Sequence, residues 1–129
     1  QKRNCQKVLI YTNNQGPKQW SYKIKNYLEN RTSTKLFDRI VCAFKCGGKK
    51  IEPRRTTHDK TYSDLVRCCK LPKGTEVCFL DDQDHPRMKH DLVYYIKKNH
   101  LEKCALSEKP FSKAILVICL LVFINSHLQ

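Results

Sequence analysis

The sequence predicts an α/β protein built on a parallel sheet with flanking helices. Three observations carry that prediction. Short β-branched and apolar runs recur at residues 7–12 (KVLIYT), 36–44 (LFDRIVCAF) and 75–80 (TEVCFL). Between them lie segments with apolar residues at helical spacing. The resulting strand, helix, strand, helix, strand rhythm is that of parallel pairing through crossovers.

Residues 7–12 stop at the turn cluster Asn13-Asn14-Gln15-Gly16, which marks a buried strand followed by a turn. Pro17 suits the first turn of a helix. Trp20, Ile24, Tyr27 and Leu28 then supply an apolar stripe to pack on the sheet, and this helix should stop near Asn30. The second strand is expected from Arg39 to Phe44. Residues 45–58 are basic and irregular, with Gly47-Gly48, Pro53 and Arg54-Arg55, and read as a loop or a small insertion. Residues 60–69 read as a short helix with Tyr62, Leu65, Val66 and Cys69 on one side. After the turn Leu71-Pro72-Lys73-Gly74, residues 75–80 form the third strand, ending at Asp81-Asp82. Residues 92–98 suit another strand or a short helix. Residues 114–124 (AILVICLLVFI) are apolar throughout. A membrane-crossing helix needs about 20 such residues, so this run reads as a buried helix or strand, with a truncated tail anchor as the alternative. These readings divide the chain into an α/β domain over residues 1–105 and an apolar C-terminal segment over 106–129.

A length of 129 residues fits one core, and an apolar fraction of 40% excludes a disordered chain. The net charge of +13 favours anionic partners: phosphorylated protein, nucleic acid or an acidic membrane surface. The eight cysteines are Cys5, Cys42, Cys46, Cys68, Cys69, Cys78, Cys104 and Cys119. Residues 1–7 do not read as a signal peptide, Cys78 sits inside an apolar run, and the adjacent Cys68-Cys69 are poorly placed to cross-link each other. Reduced thiols in the cytoplasm or nucleus are therefore expected, against the competing reading of a small secreted disulfide protein. Cys42 and Cys46 could offer a zinc ion two ligands, with Cys68, Cys69 or His58 completing the set, but no second pair of that spacing supports it. Asn30-Arg31-Thr32 matches the glycosylation sequon, a pattern short enough to arise by chance.

Parallel sheets bind ligands beyond the carboxyl ends of their strands. Thr12 and Asp81-Asp82 fall at those ends, and Lys60 lies near the start of the intervening helix. A hydroxyl, an ammonium and paired carboxylates suit phosphate chemistry. The hydroxyl can donate to a phosphoryl oxygen, the ammonium can neutralise charge, and carboxylate oxygens can hold Mg²⁺.

The same residues resemble motifs of the haloacid dehalogenase (HAD) superfamily. Val8-Leu9-Ile10-Tyr11-Thr12-Asn13-Asn14 resembles its second motif, His58-Asp59-Lys60-Thr61 its third and Phe79-Leu80-Asp81-Asp82 its fourth, in that order and within residues 7–91. The resemblance implies a Rossmann-like fold and a Mg²⁺-dependent phosphohydrolase. In it Thr12, Asn13 and Lys60 would be catalytic, and Asp81 and Asp82 would hold the metal. The family attacks phosphate with an aspartate of a D-x-D-x-[T/V] motif at the end of a first, central strand, forming an aspartyl-phosphate. That motif is missing here. Asp82-Gln83-Asp84 is the one D-x-D, and reading it as the nucleophile would leave no room downstream for the motif lysine and the metal acids, while His85-Pro86 fits that motif poorly. The resemblance thus implies a HAD-like fold incomplete at the N-terminus, without its first strand, and a chain inactive alone. Asp81-Asp82, His85-Pro86 and Val93-Tyr94-Tyr95-Ile96-Lys97 resemble the ending of the phosphatases acting on the carboxy-terminal domain of RNA polymerase II and of their viral relatives. A phosphorylated protein substrate is what that implies, with Arg54 and Arg55 of the basic segment expected to bind it. The competing reading is a non-catalytic basic module that binds phosphoprotein or nucleic acid through the region of residues 45–60.

Overall fold

The structure, a computed structural model, describes residues 7–15, 18–97 and 115–118. The expected turn glycine Gly16, Pro17 and residues 119–124 of the apolar run lie outside the described residues.

Strand β1, Val8–Tyr11, buries Leu9 and Tyr11 in one apolar cluster and sends Ile10 into another. Successive strand residues point to opposite faces, so a strand covered on both faces is apolar throughout. Helix α1, Lys18–Thr32, follows and runs two residues past the expected stop at Asn30. Its buried stripe differs from the expected one. Ser21 and Ile24 are buried and Leu28 packs against Ile10, Phe37 and Ile40, whereas Trp20 and Tyr27 are 40% and 60% exposed. Trp20 and Tyr27 each precede a member of the inward row by one position, a rotation of about 100° that turns them outward.

Strand β2, Arg39–Val41, pairs in parallel with β1, placing Ile40 opposite Ile10. It is shorter than the expected Arg39 to Phe44. The Cys42 N–H donates to Glu52 Oε2 at 3.3 Å, and the Cys42 carbonyl accepts from Arg55, so side chains replace the ladder beyond Val41. Strands β3, Lys45–Cys46, and β4, Lys49–Lys50, then form an antiparallel hairpin inside the expected loop. Its two turn residues, Gly47 and Gly48, have φ of 56° and 78°, a conformation that glycine adopts without steric cost.

Helix α2, Tyr62–Cys69, lies on the other face of the sheet from α1. Leu65 and Cys68 meet Leu9, Tyr11 and Val41, while Tyr62, Val66 and Cys69 flank that cluster half-buried. Thr61 caps the helix, its Oγ1 accepting from Asp64 N at 3.0 Å. Lys70 ends it in the left-handed region, at φ 50°. Strand β5, Val77–Asp81, leads through a single 3₁₀ turn, Pro86–Met88, to the parallel strand β6, Val93–Lys97. Residues 92–98 are open between strand and helix in the sequence; Val93–Lys97 form a strand, and residue 98 lies outside the described residues.

The last described element is β7, Ile115–Ile118, from the apolar C-terminal run. It lies between β1 and β5 and pairs in parallel with both, Ile118 standing opposite Ile10 and Leu80. The sheet order is β2-β1-β7-β5-β6, hydrogen-bonded from edge to edge. The chain is therefore a mixed α/β protein in which residues Ile115–Ile118 occupy the centre of the sheet. No helix among the described residues is long and apolar enough to cross a membrane.

Candidate functional site

Period-two alternation sets the site. Val77 and Phe79 point toward α2, so Asp81, two residues further along β5, points the same way at the strand's carboxyl end. Tyr11 ends β1 on that face as well. Lys60 immediately precedes the Thr61 cap of α2, the helix packed over both strands. Three separate pieces of chain thus deliver side chains to one end of the sheet.

Lys60 Nζ donates to Asp81 Oδ2 at 2.9 Å, and both side chains are at most 4% exposed. The His85 Nε2 atom lies 2.9 Å from the same oxygen, without the angle of a conventional hydrogen bond. Asp81 Oδ1 accepts from Gln83 N at 2.9 Å. Burial by itself would raise the Asp81 carboxyl. The adjacent His85 imidazole, the Lys60 charge and the Gln83 N–H outweigh it and hold the carboxyl well below the usual range. His85 is held in turn: its ring meets Phe79 edge-on at 6.1 Å, and its backbone N–H donates to Tyr95 Oη, which itself donates to the Gln83 carbonyl.

Thr12 is buried, its Oγ1 accepting from Asn14 N at 3.0 Å and its N–H donating to Val41 O at 3.0 Å. The two arginines of the basic segment part ways. Arg54 is exposed, while Arg55 is fully buried. Arg55 Nη1 donates to the carbonyls of Thr12 and Cys42 at 3.0 and 2.8 Å. Arg55 Nη2 donates to Asn13 Oδ1 at 2.7 Å and to the carbonyls of His58 and Asp59 at 3.0 and 3.1 Å. This guanidinium therefore pins the Thr12-Asn13 turn to the segment that carries Lys60. It also lies over the Tyr11 ring, 4.9 Å from the centroid, with Lys60 Nζ at 6.0 Å. Tyr11 Oη accepts from Thr61 N at 3.2 Å. Its phenol is pushed up to about 12, chiefly by burial.

Among the described residues, the buried guanidinium of Arg55 makes no ion pair within the cluster. Lys60 neutralises Asp81, and Arg55 rests on carbonyls and Asn13 with no carboxylate among its hydrogen-bond partners. Asp64, buried nearby, accepts from Thr56 N and Oγ1 and from Arg67 Nη1. A buried guanidinium held only by neutral acceptors attracts an anion more strongly than an exposed one does.

Mg²⁺ takes oxygen ligands and is commonly bound by one or two carboxylates, with water and substrate oxygens filling the rest. Asp81 Oδ1 accepts a single hydrogen bond, and Asp82 is exposed one residue on, so these two match that donor chemistry. Asp81 Oδ2 faces Lys60 instead. No group of three or more His, Cys, Asp and Glu gathers as a metal cage among the described residues.

Of the residues singled out in the sequence, the fold gathers Thr12, Asn13, Lys60 and Asp81 with Arg55, and leaves Arg54 and Asp82 on the surface. Tyr11, Asp64 and His85 are additional members. Thr61-Tyr62-Ser63-Asp64 carries a capping signature that marks the start of α2, and so the place of Lys60, in the sequence itself. Nothing local distinguishes Tyr11 from the apolar run around it. No protein-family model, curated protein or solved structure matches the chain.

Proposed function

We propose that the chain is a HAD-like, Rossmann-type phosphohydrolase domain, of the protein-phosphatase-like kind, that binds phosphate at this strand-end cluster and does not hydrolyse phosphate esters by itself. The observation that carries the reading is the Lys60–Asp81 contact. It joins the lysine of the third motif to the acid of the fourth, at the end of the sheet where parallel folds bind ligands. Thr12 and Asn13, from the second motif, are tied to the same place through Arg55.

The absence of turnover has its own support. The family resemblance puts the nucleophile on a central strand, and the central place here belongs to β7. Its sequence is Ile-Leu-Val-Ile, and residues 119–129 after it contain no aspartate or glutamate. In this proposal Lys60 and Arg55 supply charge to the bound phosphate, and the Thr12-Asn13 turn orients it. Mg²⁺, when bound by Asp81 Oδ1 and Asp82, neutralises further phosphate charge. The exposed Lys49, Lys50 and Arg54 attract a phosphorylated substrate to that end of the molecule.

Calorimetric titration with inorganic phosphate, paired with an aryl phosphate assay in Mg²⁺, tests the proposal. Saturable phosphate binding without turnover is expected, and Asn13→Ala should weaken it at unchanged fold. Absence of phosphate binding by the folded chain removes the proposal. Robust turnover abolished by Asp82→Ala makes Asp82 the nucleophile and overturns the assignment of Asp81 and Asp82 to the metal.

A further inference from the structure

The outer face of α1 takes no part in the site, and its composition is unusual for a surface helix. Three exposed large aromatic side chains, Trp20, Tyr22 and Tyr27, lie on this single helix, at 40%, 45% and 60% exposure. Tyr22 lies round the helix from the other two, but Lys23 and Arg31 are exposed on the side of Trp20 and Tyr27, and neither is ion-paired among the described residues. At 100° per residue, Trp20, Lys23, Tyr27 and Arg31 fall within about 80° of the helix circumference. They form one ridge on which ring, ammonium, ring and guanidinium alternate.

The helix's one acid is turned away from that ridge. Glu29 Oε2 pairs with Lys25 Nζ at 3.0 Å, and Oε1 accepts from the N–H groups of Leu36 and Phe37 at 3.0 Å each. The ridge is thus cationic and aromatic with no acid of α1 beside it, on a chain of net charge +13.

Scattered exposed aromatics need no explanation, but a row of them interleaved with unpaired cations has a specific complement. Bases offer flat faces to the rings while phosphates lie against the cations. A duplex keeps its bases stacked inside and cannot use the rings. An acidic polypeptide would use the cations alone.

We propose that the α1 ridge formed by Trp20, Lys23, Tyr27 and Arg31 binds single-stranded nucleic acid, the rings stacking on bases and the cations contacting phosphates. The site is independent of the strand-end cluster, and the chain would carry the two together.

Trp20 is the one tryptophan of the chain, which makes its fluorescence a reporter on the ridge itself. The full chain should be titrated with a short oligothymidylate, a duplex of equal length and polyglutamate over a range of salt concentrations. Saturable quenching by the oligothymidylate is expected, with affinity falling as salt rises. Binding of labelled oligothymidylate, read by anisotropy, should weaken about tenfold in Trp20→Ala and in Tyr27→Ala, and Trp20→Phe should restore most of it. Lys23→Ala should lower the salt slope by about one. Tyr27 is the most exposed of the rings, so its variant keeps the test decisive if Trp20→Ala disturbs folding. Equal affinity for polyglutamate or duplex, or wild-type affinity in both aromatic variants, overturns the proposal.

Discussion

Lys60 Nζ and Asp81 Oδ2 stand 2.9 Å apart with both side chains almost wholly buried. The residues come from either side of α2, and their contact closes the helix over the carboxyl ends of β1 and β5. A buried pair of this kind contributes modestly as a pair, because desolvation offsets the attraction. Each half without the other is costly.

Lys60→Met and Asp81→Leu should therefore each destabilise the chain by about 3–5 kcal/mol, since each leaves a buried charge uncompensated. The double variant should lose much less than the sum of the two single losses. A urea-unfolding double-mutant cycle measures the difference. Additive losses would mean that the two groups do not interact.

Acid should weaken the fold through the same carboxylate. The folded carboxyl of Asp81 lies below its unfolded value, so its contribution is complete above the unfolded pKa. It is lost progressively as pH falls from about 5 toward the folded value. Stability measured across that range should decline, and Asp81→Asn should flatten the decline.

The alkaline limb has the opposite origin. Burial pushes the Tyr11 phenol up to about 12 and the Cys68 and Cys69 thiols up to about 11. Each folded value exceeds the ordinary one, so their contribution is complete below the unfolded pKa values of about 8.5 to 10 and is lost as pH rises through the folded values. Unfolding free energy should fall between about pH 9 and 12. Tyr11→Phe should shallow the slope above about pH 10, most clearly beyond about pH 11, where the thiols have titrated.

Arg55 is expected to be among the least replaceable residues. Arg55→Ala strands the carbonyls of Thr12, Cys42, His58 and Asp59 together with Asn13 Oδ1. A loss of at least about 3 kcal/mol is expected, because several buried acceptors lose their donor at once. Arg55→Lys should recover little of it, as an ammonium cannot reproduce the planar fork. Thermal unfolding of both variants, set beside the exposed neighbour's Arg54→Lys, checks this.

Val117→Pro tests the central strand. Val117 stands opposite Leu9 on one side and Phe79 on the other. Proline there removes a ladder donor in the middle of the sheet, which strands do not tolerate. Loss of cooperative unfolding is expected, whereas a proline at exposed Lys49 of the hairpin should leave the main transition in place.

Much of the fold was legible in the sequence because period and punctuation are local. The apolar run of β1, the helical segment over residues 60–69 and the turn before β5 each announce themselves within a few residues, whereas the short β3–β4 hairpin was hidden in a segment that reads as a basic loop. Thr12, Lys60 and Asp81 are legible in the same local way, as they sit where an apolar run stops or a helix begins. The inward stripe of α1 was not legible. Trp20 and Tyr27 are large and largely apolar and fall at helical spacing with Ile24, and only tertiary packing, in which Leu28 meets the cluster of Ile10 and Ile40, selects the row of Ser21, Ile24 and Leu28.

The sequence by itself determined the strand–helix rhythm, the positive charge and the chemistry available at the strand ends. Tertiary structure alone decided three further matters. It placed Ile115–Ile118 in the centre of the sheet, where β1 and β5 each have a row of backbone groups to satisfy. It turned Arg55 from one of a run of basic residues into a buried brace, because its neighbours offer five acceptors that no local pattern foretells. It also brought Lys60 to Asp81, an encounter set by how α2 packs on the sheet. Local signals report what a residue can do, while the long-range closure of the chain decides which partner it meets.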